Sequence, residues 1–305
     1  MESTYFELKL SINPSMEDLI SEIFFENFDC EGIILAEETY KDLEMTNTTE
    51  GTLRIFLKNS GNETFEDLQY DIENILDLYR LEFKSRGLTD FELGSWEFEL
   101  EEKHNEDWSK KWKEKWDITH VTDKITVVPD WIDYIPKPDE IMIKMKPGCA
   151  FGTGTHQTTQ LCMKALEKYL KKGDKVADIG MGSGILSILA MKLGASSVYG
   201  CDNDETVIEV AKENAHKNGE KCTFELGTAD KITDKYDFVV ANILHFVLAD
   251  IMGDLKNLLK DDALLSLSGI LDEKKQMVLD AIDREKLQIV EELHQDQWIS
   301  YIVKK

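Results

Sequence analysis

The chain has 305 residues, and none of its apolar runs approaches the ~20 residues that a membrane-spanning helix needs. The opening segment MESTYFELKL lacks a basic stretch followed by an apolar one, so no signal peptide is expected. Cysteine is scarce and unpaired in sequence: Cys30, Cys149, Cys162, Cys201 and Cys222 include no C-x-x-C spacing. That pattern predicts reduced thiols in a cytoplasmic protein and gives no support for a metal site. Basic residues are also short, 35 against 60 acids, for a net charge of −25. The deficit is uneven, because residues 1–103 hold 26 acidic and 8 basic side chains, a balance of −18. Nucleic acid binding requires phosphates to be neutralised, so nucleic acid is excluded as a direct partner. A basic protein partner is compatible with this charge, as is plain solubility. Internal repeats and low-complexity segments are absent too.

What is present divides into two patterns. The first hundred residues predict strand, helix, strand, strand, helix, strand: Tyr5–Ile12, Ser15–Asn27, Gly32–Ala36, Thr52–Leu57, Phe65–Phe83 and Trp96–Leu100. This βαββαβ order fits a small ferredoxin-like α+β domain. Asn105–Trp116 places Trp108, Trp112 and Trp116 on one face of a helix, either packed between domains or facing a substrate. The resulting division is 1–103, a linker helix over 104–118, and 119–305. A β-rich stretch follows the linker (Lys124–Val128, Ile141–Lys146), interrupted by a Pro-containing loop. From His156 onward, helices and strands alternate as in a parallel α/β sheet. The predicted helices are Thr158–Lys171, Ile185–Leu193, Glu205–Asn218, Leu244–Leu259 and Asp272–Glu285. The predicted strands are Lys175–Ile179, Ser197–Cys201, Cys222–Leu226, Phe238–Ala241 and Ala263–Ser268. Two final strands, Leu287–Leu293 and Trp298–Val303, are too close in sequence for a helical crossover and must pair antiparallel.

Chemistry concentrates in four segments. In Val176–Gly184, VADIGMGSG, an apolar strand ends in an acid and then Gly180, Gly182 and Gly184. Glycines there let a ligand approach the backbone, and Asp202 at the tip of the next strand is placed to accept ribose hydroxyls. A dinucleotide fingerprint would put its third glycine at the position of Ile185, so pyrophosphate is not the ligand. The G-x-G-x-G form resembles motif I of class I S-adenosylmethionine-dependent methyltransferases. In Pro147–Thr159, PGCAFGTGTHQTT, glycines and the hydroxyls of Thr155, Thr158 and Thr159 precede a helix, where they can cap it or bind a polar ligand. His156 there either makes a structural hydrogen bond or lines the site. In Asp237–Leu244, DFVVANIL, a strand ends in Asn242, whose carbonyl can accept a hydrogen bond from a neutral amine and orient its lone pair. Ser266–Leu271, SLSGIL, reads first as a turn at Gly269.

Taken together, AFGTGTH-x-TT, DIG-x-GSGIL, VVANIL and LSGIL resemble the ribosomal protein L-eleven methyltransferase family over essentially the whole chain. The resemblance implies a Rossmann-like class I sheet closed by an antiparallel hairpin. It implies transfer of methyl groups from S-adenosylmethionine, leaving S-adenosylhomocysteine, to the α-amine and lysines of large-subunit ribosomal protein eleven. It also implies substrate recognition by the N-terminal domain, with cofactor positions falling on Thr159, Gly180, Asp202 and Asn242. Gly182 and Gly184 complete the expected cofactor set. Asn242, Thr155 and His156 form the expected catalytic set, with no metal. The expected partner is free large-subunit ribosomal protein eleven, methylated by a monomeric enzyme. Gln157, Met181 and His245 depart from the family's usual Pro, Cys and Ala. Rival readings are a related protein-lysine methyltransferase, such as one for an electron-transfer flavoprotein subunit, and a non-catalytic ribosome assembly factor. An adenine or glutamine amino-methyltransferase is opposed by Ile243 and Leu244, which stand where that class carries Pro-Pro.

Overall fold

The computed structural model describes residues 4–13, 16–35, 51–59, 64–104, 117–146 and 154–305. The chain forms two compact units, Met1–Trp116 and Asp117–Lys305. The helix expected over Asn105–Trp116, Ser15, Ala36, Cys149 and most of the Pro147–Thr159 segment lie outside the described residues.

The first unit runs β1 (Thr4–Ile12), α1 (Glu17–Asn27), β2 (Cys30–Leu35), β3 (Gly51–Lys58), α2 (Phe65–Ser85), α3 (Asp90–Leu93) and β4 (Phe98–His104). Its strands lie in the order β2-β3-β1-β4, every neighbour antiparallel. Alternation decides which face is covered: Phe6, Leu8, Leu10 and Ile12 of β1 are buried with Ile20 and Phe24 of α1 and Leu68, Ile72 and Leu76 of α2. Thr64 caps α2 by accepting the Asp67 N–H at 3.2 Å. The short helix α3 was not foreseen; a Thr89–Glu92 capping box starts it and Gly94 ends it.

The second unit begins with a three-stranded sheet of β5 (Thr119–His120), β6 (Ile125–Pro129) and β7 (Ile141–Met145). There follow α4 (Gln157–Tyr169), β8 (Lys175–Ile179), α5 (Ile185–Lys192), β9 (Ser197–Asp202), α6 (Glu205–Lys217), β10 (Thr223–Leu226), β11 (Tyr236–Asn242), α7 (His245–Asn257), β12 (Leu259–Leu271), α8 (Lys275–Arg284), β13 (Gln288–Gln295) and β14 (Trp298–Lys304). The large sheet is ordered β10-β9-β8-β11-β12-β14-β13. Its first five strands are parallel, whereas β14 runs antiparallel to both β12 and β13. The predicted α/β sheet with a terminal antiparallel hairpin is therefore the fold of this unit. Its inner strands β8, β11 and β14 are buried on both faces and read as near-continuous apolar runs, whereas the edge strands β10 and β13 are largely exposed. The helix expected over Asp272–Glu285 is a 3₁₀ turn, Asp272–Lys274, followed by α8.

A polar knot fastens the loop between β6 and β7. The buried Glu140 carboxylate accepts the Thr126 hydroxyl, the Tyr134 hydroxyl at 2.8 Å and the Lys137 N–H at 2.7 Å. These donors, Thr126 first, hold its pKa well below the usual carboxylate range, at about 2. A depressed carboxylate contributes stability above its unfolded pKa and loses it as pH falls through the folded value. The thermal midpoint of the wild type should therefore fall more steeply between about pH 5 and about pH 3 than that of Glu140→Gln. Equal slopes would show that the knot carries no pH-linked stability.

Candidate active site

The parallel strands end at one rim, and the order in which they are laid down reverses at β8, with β9 on one side and β11 on the other. That switch point is where open α/β sheets bind ligands. The glycine turn leaves β8 with Gly180, Gly182 and Gly184 all in the left-handed region (φ 69°, 49° and 77°). A Cβ on Gly180 would sit 2.3 Å from Ile243 Cγ2, so the turn is pressed against the segment that follows β11. Gly184 serves packing, since a Cβ there would lie 3.0 Å from Phe224 Cζ and 3.1 Å from Ala211 Cβ.

Two buried acids flank the turn. Asp202 closes it from β9: its Oδ2 accepts the Gly182 N–H at 2.9 Å and its Oδ1 the Asp204 N–H at 3.2 Å. Burial pushes its pKa upward against those hydrogen bonds. Asp178, the acid of the VADIG run, was absent from the expected site. Its Oδ2 accepts both the N–H and the hydroxyl of Ser187, at 3.0 and 2.7 Å, while Oδ1 is buried without a partner. Burial, chiefly, pushes its pKa up to about 7. The signal was legible: an acid inside V-A-D-I is a charge in an otherwise apolar strand.

Asn242 ends β11 and is almost fully buried. Its Nδ2 points to Thr159 Oγ1 at 3.4 Å, and its Oδ1 is buried without a partner. Thr159 is fully buried in the first turn of α4. The neighbouring Thr158 carbonyl accepts the Ser268 hydroxyl at 3.1 Å, and the Ser268 carbonyl accepts the Ile243 N–H at 3.2 Å. Gly269, expected at a turn, instead lies within β12 at a register shift against β14, with φ 87°. A Cβ there would come within 2.2 Å of the Ile243 carbonyl oxygen. Thus Ile243 is held between two glycines, Gly180 and Gly269, and Asn242 is held with it.

The remaining expected residues separate. Thr155 is exposed, and its carbonyl accepts Gln160 Nε2 at 2.9 Å. His156 is the N-cap of α4: its Nδ1 accepts the Thr158 N–H at 3.3 Å and lies 2.7 Å from Thr158 Oγ1. The ring meets Trp298 of β14 edge-on, with centroids 4.9 Å apart. Burial lowers its pKa to about 4, so at neutral pH Nδ1 is an acceptor, as the cap requires. His156→Ala should lower stability by about 1 kcal/mol, and His156→Asn, itself a good cap, should restore most of that together with activity. Full stability but no activity in His156→Asn would instead make the imidazole a participant in the chemistry.

A glycine turn, a paired acid at the next strand tip and an unpaired amide carbonyl thus meet at the sheet's switch point. The family model for ribosomal protein L11 methyltransferase (PrmA) matches residues 4–305. The chain belongs to the ribosomal protein L11 methyltransferase family. Its relatives include the ribosomal protein L11 methyltransferases of Ruminiclostridium cellulolyticum, 34% identical with 98% of each chain covered, and of Dictyoglomus turgidum, 35% identical with the same coverage. Among solved structures, the ribosomal protein L11 methylase of Lactobacillus delbrueckii subsp. bulgaricus superposes with a TM-score of 0.59 at 34% identity. That match covers 62% of this chain and 99% of the other. The cofactor of this methyltransferase family is S-adenosylmethionine, and the site fits it. The buried Asn242 and Asp178 each keep one oxygen without a hydrogen-bond partner, able to accept from a polar ligand.

Proposed function

We propose that this enzyme transfers methyl groups from S-adenosylmethionine to the N-terminal α-amine and lysine side chains of ribosomal protein L11. The observation that carries the reading is the Asn242 carbonyl, buried and unpaired at the end of β11. A family match over residues 4–305 supports it and lends nothing to the flavoprotein or assembly-factor readings.

In this proposal Gly180, Gly182, Gly184 and Thr159 shape the donor cradle, and Asp202 accepts the ribose hydroxyls through its remaining lone pairs. When bound, S-adenosylmethionine supplies an electrophilic methyl group on a positively charged sulfur. The protein's task is then alignment more than activation. Asn242 Oδ1 accepts an N–H of the target amine and turns the nitrogen lone pair toward the cradle without adding charge. Thr155, exposed at the rim, lines the approach, and His156 contributes by holding the α4 terminus. An α-amine, with a pKa of about 7.7–8.0, is far more often neutral near pH 7 than a lysine. A lysine, near 10.4, must be desolvated before it can react. No side chain is assigned as general base, and water takes the proton.

Residues 1–103 form a ferredoxin-like substrate-recognition domain, supported by the β2-β3-β1-β4 order and the two helices sharing its core. Residues 104–118 link it to the catalytic domain 119–305. The enzyme acts as a cytoplasmic monomer on free ribosomal protein L11. Among the described residues no helix is long and apolar enough to cross a membrane. Intact-mass measurement of purified ribosomal protein L11 after incubation with the enzyme and S-adenosylmethionine tests the reading. Successive methyl-sized steps mapping to the N-terminus and lysines are expected. An unchanged mass, with cofactor binding demonstrated separately, would overturn the assignment.

A further inference from the structure

Helix α2 carries an apolar stripe on its outer side as well as its inner one. Its inner stripe, Leu68, Ile72, Leu76 and Phe83, is buried in the core of the first unit. At 100° per residue, Tyr70, Leu78 and Leu81 fall within a sector of about 80° on the opposite side. They are 65%, 60% and 69% exposed. Phe91, 66% exposed, stands on α3, which Asp90 ties to α2 through Arg80 and Lys84, both at 2.6 Å. Single exposed leucines need no explanation, but an aligned set does. The stripe is bordered by exposed Glu66, Asp67, Asp71, Glu73 and Asp77. Beside it lies a hollow of about 340 Å³ lined by Glu73, Asp77, Arg80 and Trp96 among others.

We infer that the outer face of α2 is the docking surface for a basic protein partner that offers cationic and apolar side chains together. Charge selects this occupant. A second copy of the chain would set this acidic face against a molecule whose own net charge is −25. A nucleic acid would set it against phosphates. A basic protein gains from both components, because carboxylates steer and orient it while Tyr70, Leu78, Leu81 and Phe91 supply desolvated anchors. The inference rests on the proposed function in one respect, that the partner is the substrate. Binding at a surface distinct from the reacting amine then acts on KM and leaves kcat nearly unchanged.

The test uses the full chain with purified ribosomal protein L11 as probe, and measures the dissociation constant and methylation kinetics separately. The double variant Leu78→Ala/Leu81→Ala keeps good helix formers on α2. It should weaken binding by about tenfold and raise KM correspondingly. The variant Glu73→Lys/Asp77→Lys should weaken binding further and flatten its salt dependence. Unfolding temperature and S-adenosylmethionine affinity should match the wild type in both. Unchanged dissociation constant and KM would overturn the docking surface. So would a wild-type chain that sediments as a dimer dissociated by Leu78→Ala/Leu81→Ala, since that gives the face to a second copy. Tight wild-type binding, weakened by the variants but with no methylation, would retain this surface and overturn the proposed reaction instead.

Discussion

Replacing Asn242 with alanine is expected to lower kcat for methylation of ribosomal protein L11 by about a hundredfold or more, with a far smaller change in S-adenosylmethionine affinity. The expectation follows from where the side chain stands. Its amide nitrogen is directed to Thr159, so the carbonyl oxygen is the atom left to meet the substrate. Alanine removes that acceptor and leaves the amine free to present its N–H bonds, rather than its lone pair, to the methyl group. Asn242→Asp separates orientation from simple attraction. A carboxylate of the same shape binds the protonated amine better and so holds it in its unreactive form, with kcat falling and the pH optimum moving upward. Rates and pH profiles of the two variants decide the matter. A kcat for Asn242→Ala within about threefold of wild type would remove this residue from the mechanism.

Gly269→Ala is expected to destabilise the catalytic unit by about 2–5 kcal/mol and to reduce activity even where the unit remains folded. Two costs combine. The residue sits at φ 87°, where an L side chain costs about 1–2 kcal/mol. Overpacking adds about 1–3 kcal/mol, because the new methyl would lie 2.2 Å from the Ile243 carbonyl oxygen and 2.8 Å from its carbonyl carbon. Backbone cannot swing aside as a side chain can, so the Ile243 peptide and Asn242 before it must shift. Gly180→Ala is the comparison: its new methyl meets the Ile243 Cγ2 methyl at 2.3 Å, an atom on a side chain that can rotate. Denaturant unfolding of the two variants, alongside turnover, should rank Gly269→Ala as the more damaging. Wild-type stability in Gly269→Ala would mean that the β12 backbone yields at no cost.

The alternation of apolar runs and turn residues made the catalytic sheet legible, because inner strands buried on both faces leave a strong pattern, and the short connection before Trp298 revealed the closing hairpin. The position of Asn242 at a strand tip followed from VVANIL in the same way. What escaped was tertiary. Gly269 read as a turn because nothing in SLSGIL reveals that Ile243, 26 positions earlier, lies over it. His156 read equally as a structural hydrogen-bonder or a site residue, and its edge-on contact with Trp298, 142 positions away, could not be read from the sequence. Asp178 was visible as an oddity, but its unpaired oxygen emerges only once Ser187 is seen to satisfy the other one. Helix α3 was missed because a four-residue helix has no periodicity to read; only Thr89 and Glu92 marked its start.

The clasp of Ile243 between Gly180 and Gly269 joins the donor and acceptor ends of the site into one mechanical part. On the proposed assignment, a ligand that settles the glycine turn would also settle the Ile243 peptide and the Asn242 amide next to it. Linkage makes such coupling reciprocal: whatever factor the donor contributes to acceptor affinity, the acceptor returns to the donor. If the clasp makes the donor tighten acceptor binding, the acceptor must tighten donor binding by the same factor.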